Sequence, residues 1–170
     1  ALISKAVDGF ESFNEKLKKD GIFDLPNGPR NQQFTNDIGK ARFTLNELPK
    51  YQIDPGELLM MTIRSHDQFN TTIYGLDDRY RGIYGTRKIV LMNEIDIKKH
   101  DLDKARLVTL YNFYGDKRRE VSGLKIVTYD IPMGCIATYF PECNVLIPLE
   151  LKARKSGTPS SKSIKVRILQ

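Results

Sequence analysis

The sequence feature that most restricts the fold is a series of short segments after residue 57 that are either apolar or alternate between apolar and polar residues. Their lengths and side chains are typical of β-strands. One short helix is predicted among them, with Asn93 as its N-cap and its end near His100. The predicted strands are 58–63, 88–92, 106–114, 121–129, 144–149 and 163–169. We therefore expect a mainly β protein with short helices, a mixed barrel or a sandwich, and we exclude a doubly wound sheet.

Two of these segments, 58–63 and 88–92, contain the apolar runs 58–61 and 89–92 and predict strands that are buried on both faces. The sequence before them differs. Apolar residues recur at helical spacing from Ile3 to Leu17, and Gly21 follows as a helix stop, so one amphipathic N-terminal helix is predicted.

Farther along the N-terminal part, Phe43 and Leu45 alternate with polar residues, which predicts a short strand over 41–45. Near residues 49–52 the sequence changes from a helical and extended pattern to one typical of β-strands, which indicates a domain boundary. We expect an N-terminal helix and extended arm over 1–50, followed by a β-barrel domain over 51–170.

Composition excludes several kinds of site. Two cysteines and two histidines are too few for a disulfide framework, a four-cysteine zinc site or a histidine-rich metal centre. The longest apolar runs have four residues, so no membrane span is expected, and the absence of a signal-like segment predicts a cytoplasmic protein. The net charge is +6, and residues 151–170 carry six basic side chains and no acidic one. This charge favours an anionic partner, with a solvated charged face as the alternative.

The loop over 64–72 holds the densest cluster of hydrogen-bonding side chains and directly follows an apolar strand. Arg64 can grip a phosphate, whereas the amides of Gln68 and Asn70 can pair with a heterocycle. The alternative is a loop whose side chains satisfy only its own backbone. A second candidate is the small-residue loop 156–163, where backbone N–H groups and Lys162 could hold a phosphate.

Nucleic-acid binding and nucleophilic catalysis are two alternatives to the phosphate-binding loops. Arginine alternates with tyrosine over 77–87, a pattern that can stack on single-stranded nucleic acid, although packing onto the protein body is the interpretation we favour. His66 with Cys135 or Cys143 could form a nucleophilic pair, but nothing nearby activates either thiol. We assign no catalytic and no metal-ligating residue to the chain.

Several segments together resemble a known family. The segments 62–75, 90–96, 141–148 and 156–162, with 39–43 as a lead-in, resemble the C-terminal molybdopterin-dinucleotide-binding domain of molybdopterin oxidoreductases. The branch that they resemble most is that of the formate-dehydrogenase-like alpha subunits. The resemblance covers roughly residues 24–170, and the combination is more specific than any one segment.

The resemblance implies a double-psi β-barrel that binds molybdopterin guanine dinucleotide carrying Mo or W. By motif position, the cofactor-binding residues would be Arg64, Ser65, His66, Gln68, Asn70, Thr71, Asn144, Ser161 and Lys162. The family places the metal ligand and any 4Fe-4S cluster in upstream domains of the same oxidoreductase, which would be the partners of this chain. The chain alone is then not expected to catalyse a reaction, since the metal centre performs the redox step.

This hypothesis predicts that Arg64, Asn144 and Lys162 converge on one groove. The alternative is a non-enzymatic basic β-barrel that binds nucleic acid or a protein partner. A protein partner could be held by the apolar stripe of the first helix, which includes Phe10, Phe13 and Leu17. We expect neither a membrane nor a nucleic-acid partner.

Overall fold

The computed structural model describes residues 2–69, 74–154 and 156–170. The chain divides into two compact units, Ala1–Pro49 and Lys50–Gln170. The first unit contains α1 (Ile3–Ala6), α2 (Phe13–Asp20) and a 3-10 turn at Pro29–Asn31. The second contains β1 (Leu58–Ile63), β2 (Ile89–Met92), α3 (Glu94–Lys99), β3 (Val108–Tyr114), β4 (Lys117–Thr128), β5 (Cys135–Tyr139), a 3-10 turn at Asn144–Leu146 and β6 (Ile164–Leu169).

The six strands form a closed barrel in the order β1-β5-β2-β4-β3-β6, and β6 pairs with β1 to complete it. Two pairs, β1 with β5 and β2 with β4, are parallel, and the other pairs are antiparallel. The prediction of a mainly β fold with few short helices is therefore confirmed, and of its two alternatives the barrel is correct.

The barrel interior is filled by side chains that point inward from all six strands. Met60, Val90, Leu110, Leu124 and Ile136 belong to this core and are fully buried. Such a continuous apolar core supplies the main driving force for folding.

The two apolar runs differ in burial. β2 is buried along its whole length, as predicted, because Ile83 and Tyr139 cover its outer residues Ile89 and Leu91. β1 instead alternates between buried and more accessible residues, and Met61 is 40% exposed. The prediction that β1 is buried on both faces was wrong.

The predicted strand over 144–149 is also wrong. Its first residues form a 3-10 turn, in which the N–H of Asn144 donates to the carbonyl of Pro141. Pro141 and Pro148 flank the turn, and proline has no N–H to donate to a β ladder. The strand in this region is β5, which the sequence pattern missed because Ala137 and Thr138 interrupt its apolar residues.

The first unit also departs from its predicted structure. The single amphipathic helix is replaced by α1 and α2, and Gly9 between them has a φ of 91°, a left-handed conformation that a helix cannot continue through. Residues 41–45 form no strand. Phe43 and Leu45 are essentially fully exposed, so no second strand or core holds this segment within the described part of the chain.

Within residues 2–69, 74–154 and 156–170, the helices are too short and too polar for any of them to cross a lipid bilayer.

We predict that Asn93→Ala destabilises the protein by about 2 kcal/mol in urea unfolding. The Asn93 side chain accepts from the N–H of Ile95 at 2.9 Å and donates to the carbonyl of Ile131 at 2.7 Å. Asn93→Ser keeps an acceptor at the helix N-terminus without placing a carboxylate against the Ile131 carbonyl, and it should cost about half as much. Equal losses in the two variants would show that the cap does not stabilise α3.

Candidate functional site

A buried arginine, Arg87, connects the loop after β1 to the turn after β5. It is 3% exposed and donates through Nε to Glu142 at 2.6 Å, and through Nη2 to the Phe140 carbonyl at 2.6 Å and to Gln68 Oε1 at 2.9 Å. Its Nη1 donates to the hydroxyl of Ser65. A buried guanidinium requires such partners, because an unpaired buried charge is strongly unfavourable.

Aromatic rings enclose the same guanidinium. Its carbon lies 4.0 Å from the ring centre of Tyr74 and 4.6 Å from that of Tyr139. Cation–π attraction adds to the ion pair with Glu142 in this desolvated environment. The positions of residues 65–68 and 140–142 are therefore set by one side chain.

Strand directions explain why polar segments meet here. β1 and β5 are adjacent and parallel, with Ile63 beside Tyr139, so the residues that follow them, Arg64 and Phe140, lie at the same edge of the barrel. β6 runs antiparallel to β1 and begins at that edge, which brings Lys162 to it as well.

A cavity of about 490 Å³ opens at this edge, and we call it the central cavity. Its lining residues are Thr62, Ile63, Arg64, Arg81, Phe140, Ser161 and Lys162. Among the described residues it is thus lined by three basic side chains and no acidic one. A cavity with this lining attracts anions.

Two smaller cavities adjoin it. The apolar cavity, of about 340 Å³, is lined mainly by apolar residues around Asn144 and shares Phe140 and Ser161 with the central cavity. The loop cavity, of about 270 Å³, lies along residues 64–69 and shares Arg64 and Arg81 with it. The three cavities together form one elongated groove.

The structure places the predicted residues at different points of this groove. Arg64, Ser161 and Lys162 line the central cavity, whereas Asn144 lines the apolar cavity next to it. Arg64, Lys162 and Asn144, which were expected to converge on one groove, therefore line two neighbouring cavities that share two lining residues. Asn70 and Thr71 lie outside the described residues.

The remaining predicted residues line the loop cavity, but their polar atoms already have protein partners. Ser65 and Gln68 are buried and bonded to Arg87, and the Gln68 amide also donates to the Phe140 carbonyl at 2.8 Å. These contacts hold the loop in place.

His66 is likewise engaged. Its Nδ1 lies 2.8 Å from a carboxylate oxygen of Asp67, and its Nε2 lies 3.1 Å from Nη2 of Arg79. Because a guanidinium only donates, Nε2 must accept, and the proton of the neutral ring is on Nδ1. The ring of Tyr80 packs edge-on against the imidazole, with 4.0 Å between the two ring centroids.

Lys162 is held in the central cavity by a hydrogen bond to the backbone. Its ammonium donates to the carbonyl of Thr62, beside the N–H of Thr62 that donates to the Ser161 carbonyl at 3.0 Å. Burial lowers the pKa of Lys162, and the nearby positive charge of Arg64 lowers it further. An anion in the cavity would offset both effects.

Asn144 adds a second observation that fits a polar ligand. Among the described residues, its buried amide oxygen has no hydrogen-bond partner. Such oxygens are uncommon in folded proteins, and each one calls for an explanation.

The third cation, Arg81, is compensated by a carboxylate behind the cavity. Its guanidinium lies 2.5 Å from Oδ2 of Asp78, which also accepts from the hydroxyl of Tyr139 at 2.6 Å. Burial opposes ionisation of Asp78, but these two hydrogen bonds outweigh it, and the pKa of Asp78 is lowered. Burial and the bond to Asp78 raise the pKa of Tyr139.

The sequence pattern did not identify this internal network. The relevant signal is the alternation of arginine and tyrosine over 77–87, for which packing of the tyrosines onto the protein body is the favoured interpretation and a surface for nucleic acid the alternative. In the structure Arg87 is buried and Arg81 is paired with Asp78, so the arginines do not form a continuous exposed surface. Tyr80 and Tyr84 remain largely exposed.

Cys143 is not placed for nucleophilic chemistry. Cys143 is fully buried in the core, and burial raises the pKa of its thiol to about 11, so it is protonated at neutral pH. In the part of the chain that the structure describes, no three residues of the His, Cys, Asp and Glu types are grouped to hold a metal ion.

Comparison with known families gives a match over the barrel. The model of the molydopterin dinucleotide binding domain matches residues 58–165. The match covers more than half of the chain and includes β1 to β5 in full and the first two residues of β6. The chain belongs to this family.

Comparison with individual proteins gives relatives that are much longer. An "uncharacterized oxidoreductase" of Mycobacterium tuberculosis is 41% identical over 172 residues, which cover 98% of this chain and 22% of that protein. Protein YdeP of Escherichia coli is 35% identical over 173 residues, which cover 98% of this chain and 23% of that protein. The chain thus spans about a fifth of the length of these curated relatives.

We predict that Arg87→Met lowers the free energy of unfolding by about 3–5 kcal/mol, because it leaves the Glu142 carboxylate without its cation and removes the guanidinium hydrogen bonds to Ser65, Gln68 and the Phe140 carbonyl. Urea unfolding measures the loss. Adding Glu142→Gln should recover part of it, since the uncompensated charge is removed. The matched control, Arg118→Met at an exposed arginine, should cost less than about 1 kcal/mol. A cost this small for Arg87→Met would contradict the anchoring role.

We also predict a specific pH dependence for Asp78. Because its folded-state pKa lies below the ordinary value of 3.8, its ionised form stabilises the fold above about pH 4, and this contribution is lost as the pH falls through the lowered pKa. Asp78→Asn should therefore be less stable than the parent at pH 7, and the difference should shrink progressively below pH 4. A difference independent of pH between 7 and 2 would exclude this linkage.

Proposed function

We propose that this member of the molydopterin dinucleotide binding domain family holds the diphosphate of a pterin dinucleotide in its central cavity, as the C-terminal part of a longer molybdopterin oxidoreductase. The observation that carries the proposal is the pairing of Arg64 with the desolvated Lys162 in a cavity lined by no acidic side chain among the described residues. The family match and the oxidoreductase name of the longer Mycobacterium tuberculosis relative support it.

The charges of the site support a diphosphate in particular. Arg64 and Lys162 are close enough for one to lower the pKa of the other, so an anion between them would stabilise both. Ser161 lines both the central and the apolar cavity and can donate through its hydroxyl. We assign the diphosphate contacts to these three residues.

The other predicted residues take different roles in this proposal. Asn144, with its unpaired amide oxygen, would accept a hydrogen bond from a heterocyclic part of the cofactor. Ser65 and Gln68 would position the loop through Arg87, and His66 would line the groove. For Asn70 and Thr71, direct contact stays a prediction from the family resemblance.

Finer features follow the same resemblance. We propose that the barrel is of the double-psi type, which its two parallel strand pairs support. We also propose a guanine dinucleotide with Mo or W, a formate-dehydrogenase-like whole protein, and a 4Fe-4S cluster and metal ligand in its other domains. The division into an arm over 1–50 and a cofactor-binding domain over 51–170 belongs to this proposal.

In the whole protein, the bound metal–pterin group would supply the electron transfer. The residues of this chain would bind and orient that group. The apolar wall of Phe140, Ile147 and Pro148 would exclude water from it. The chain itself would provide no electron-transfer group.

The test is charge reversal at Lys162 in the whole protein. Lys162→Glu should lower the pterin and metal content at least about tenfold, since a lost charge-assisted contact and a new repulsion together exceed 1.4 kcal/mol. Pterin is measured after extraction, and metal by elemental analysis. Lys162→Gln, which removes the charge without reversing it, should give an intermediate content.

The matched control is Lys125→Glu, which makes the same charge change on an exposed residue of β4 outside the three cavities. It should retain the pterin content of the parent. An unchanged content in Lys162→Glu, or an equal loss in both variants, would contradict the proposed diphosphate site.

A further inference from the structure

Residues 41–48, which we call the exposed segment, present apolar side chains almost entirely to solvent. Phe43 is 99% exposed, Leu45 104% and Leu48 87%. The segment forms neither helix nor strand. Large apolar side chains exposed in sequence neighbours are typical of a surface that another protein segment covers.

The backbone of the exposed segment is also uncovered. Among the described residues, none of its N–H or C=O groups pairs with another backbone group. Phe43 and Leu45 alternate with Arg42, Thr44 and Asn46, which in an extended chain places the two apolar side chains on one face. The Thr44 carbonyl accepts from the side-chain amide of Asn46 at 3.5 Å. An extended backbone that has no backbone partner and presents one apolar face can add to the edge of a β-sheet.

The three phenylalanines around the helices of the same unit are only partly exposed. The rings of Phe10, Phe13 and Phe23 pack against one another, with centroid distances of 5.1–6.0 Å. Phe10 and Phe13, the aromatic residues of the stripe that was predicted to dock on a partner, are therefore partly covered by each other and by Phe23. The exposed segment has no such cover, which makes it the stronger candidate for a contact outside this chain.

The comparisons indicate what could cover it. The matches to the relatives extend over 98% of this chain, so they include the exposed segment, yet they cover only 22% or 23% of those proteins. A covalently linked partner of that size is present at a high effective concentration. The remaining part of the same polypeptide is thus the favoured occupant over a second copy.

We propose that residues 42–47 add as a β-strand to a sheet edge in the remaining part of the same polypeptide, with Phe43 and Leu45 against its apolar surface. This inference rests on the proposed placement of the chain in a longer oxidoreductase. It also explains why the segment has the alternation of a strand but no strand partner in the described chain.

Hydrogen–deuterium exchange of the whole protein tests the inference. The amides of residues 42–47 should exchange at least roughly a hundredfold more slowly than in an unpaired chain. The double variant Phe43→Asp with Leu45→Asp should restore fast exchange in this segment. The matched control Thr44→Asp, on the opposite face, should keep it slow. The amides of Val90 and Leu110 report whether the barrel stays folded in each variant.

Three results would overturn the inference. They are fast exchange of residues 42–47 in the unsubstituted protein, equal effects of the two variants, and protection that disappears on dilution, which would indicate a second copy. Pterin content measured on the same samples separates this inference from the proposed function. A pterin-loaded protein with an unprotected segment contradicts only the strand addition, whereas a protected segment without pterin contradicts only the cofactor site.

Discussion

The buried guanidinium of Arg87 is the interaction on which the geometry of the groove depends. It has partners from both sides of the site, Ser65 and Gln68 after β1 and Phe140 and Glu142 after β5. A charge in this environment is tolerated only when all these partners are in place, so the two loops must adopt one arrangement. Parallel pairing of β1 and β5 brings the loops together, and the arginine then fixes them.

The same edge of the barrel contains cations of two kinds. Arg87 and Arg81 are neutralised within the chain by Glu142 and Asp78. Lys162 instead bonds a backbone carbonyl, and its pKa is lowered by burial and by Arg64. Internal ion pairs therefore hold the walls of the groove, while Arg64 and Lys162 line its centre, where no acidic side chain is among the described lining residues. This division explains how a rigid site can still attract an anionic ligand.

Local sequence patterns predicted the strands whose apolar residues are continuous or strictly alternating, such as 58–63 and 163–169. They failed where contacts between residues far apart in the sequence decide whether a segment forms a strand. The pattern does not show β5, because the polar Thr138 interrupts its apolar residues and is buried only through contacts in the folded barrel. It indicates a strand over 144–149 although Pro148 lies within that segment and Pro141 just before it. In the site, the polar loop after β1 could be predicted from its composition. The role of Arg87 could not, because nothing in its sequence neighbours distinguishes a buried arginine from a solvated one.

The structure of the whole protein loaded with its cofactor tests the central claim most directly, through the distances from the diphosphate oxygens to the side chains of the groove. Our account predicts at least one such oxygen within 3.2 Å of Lys162 Nζ and another within the same distance of the Arg64 guanidinium. A diphosphate bound against a different part of the protein, with both side chains facing solvent, would contradict it.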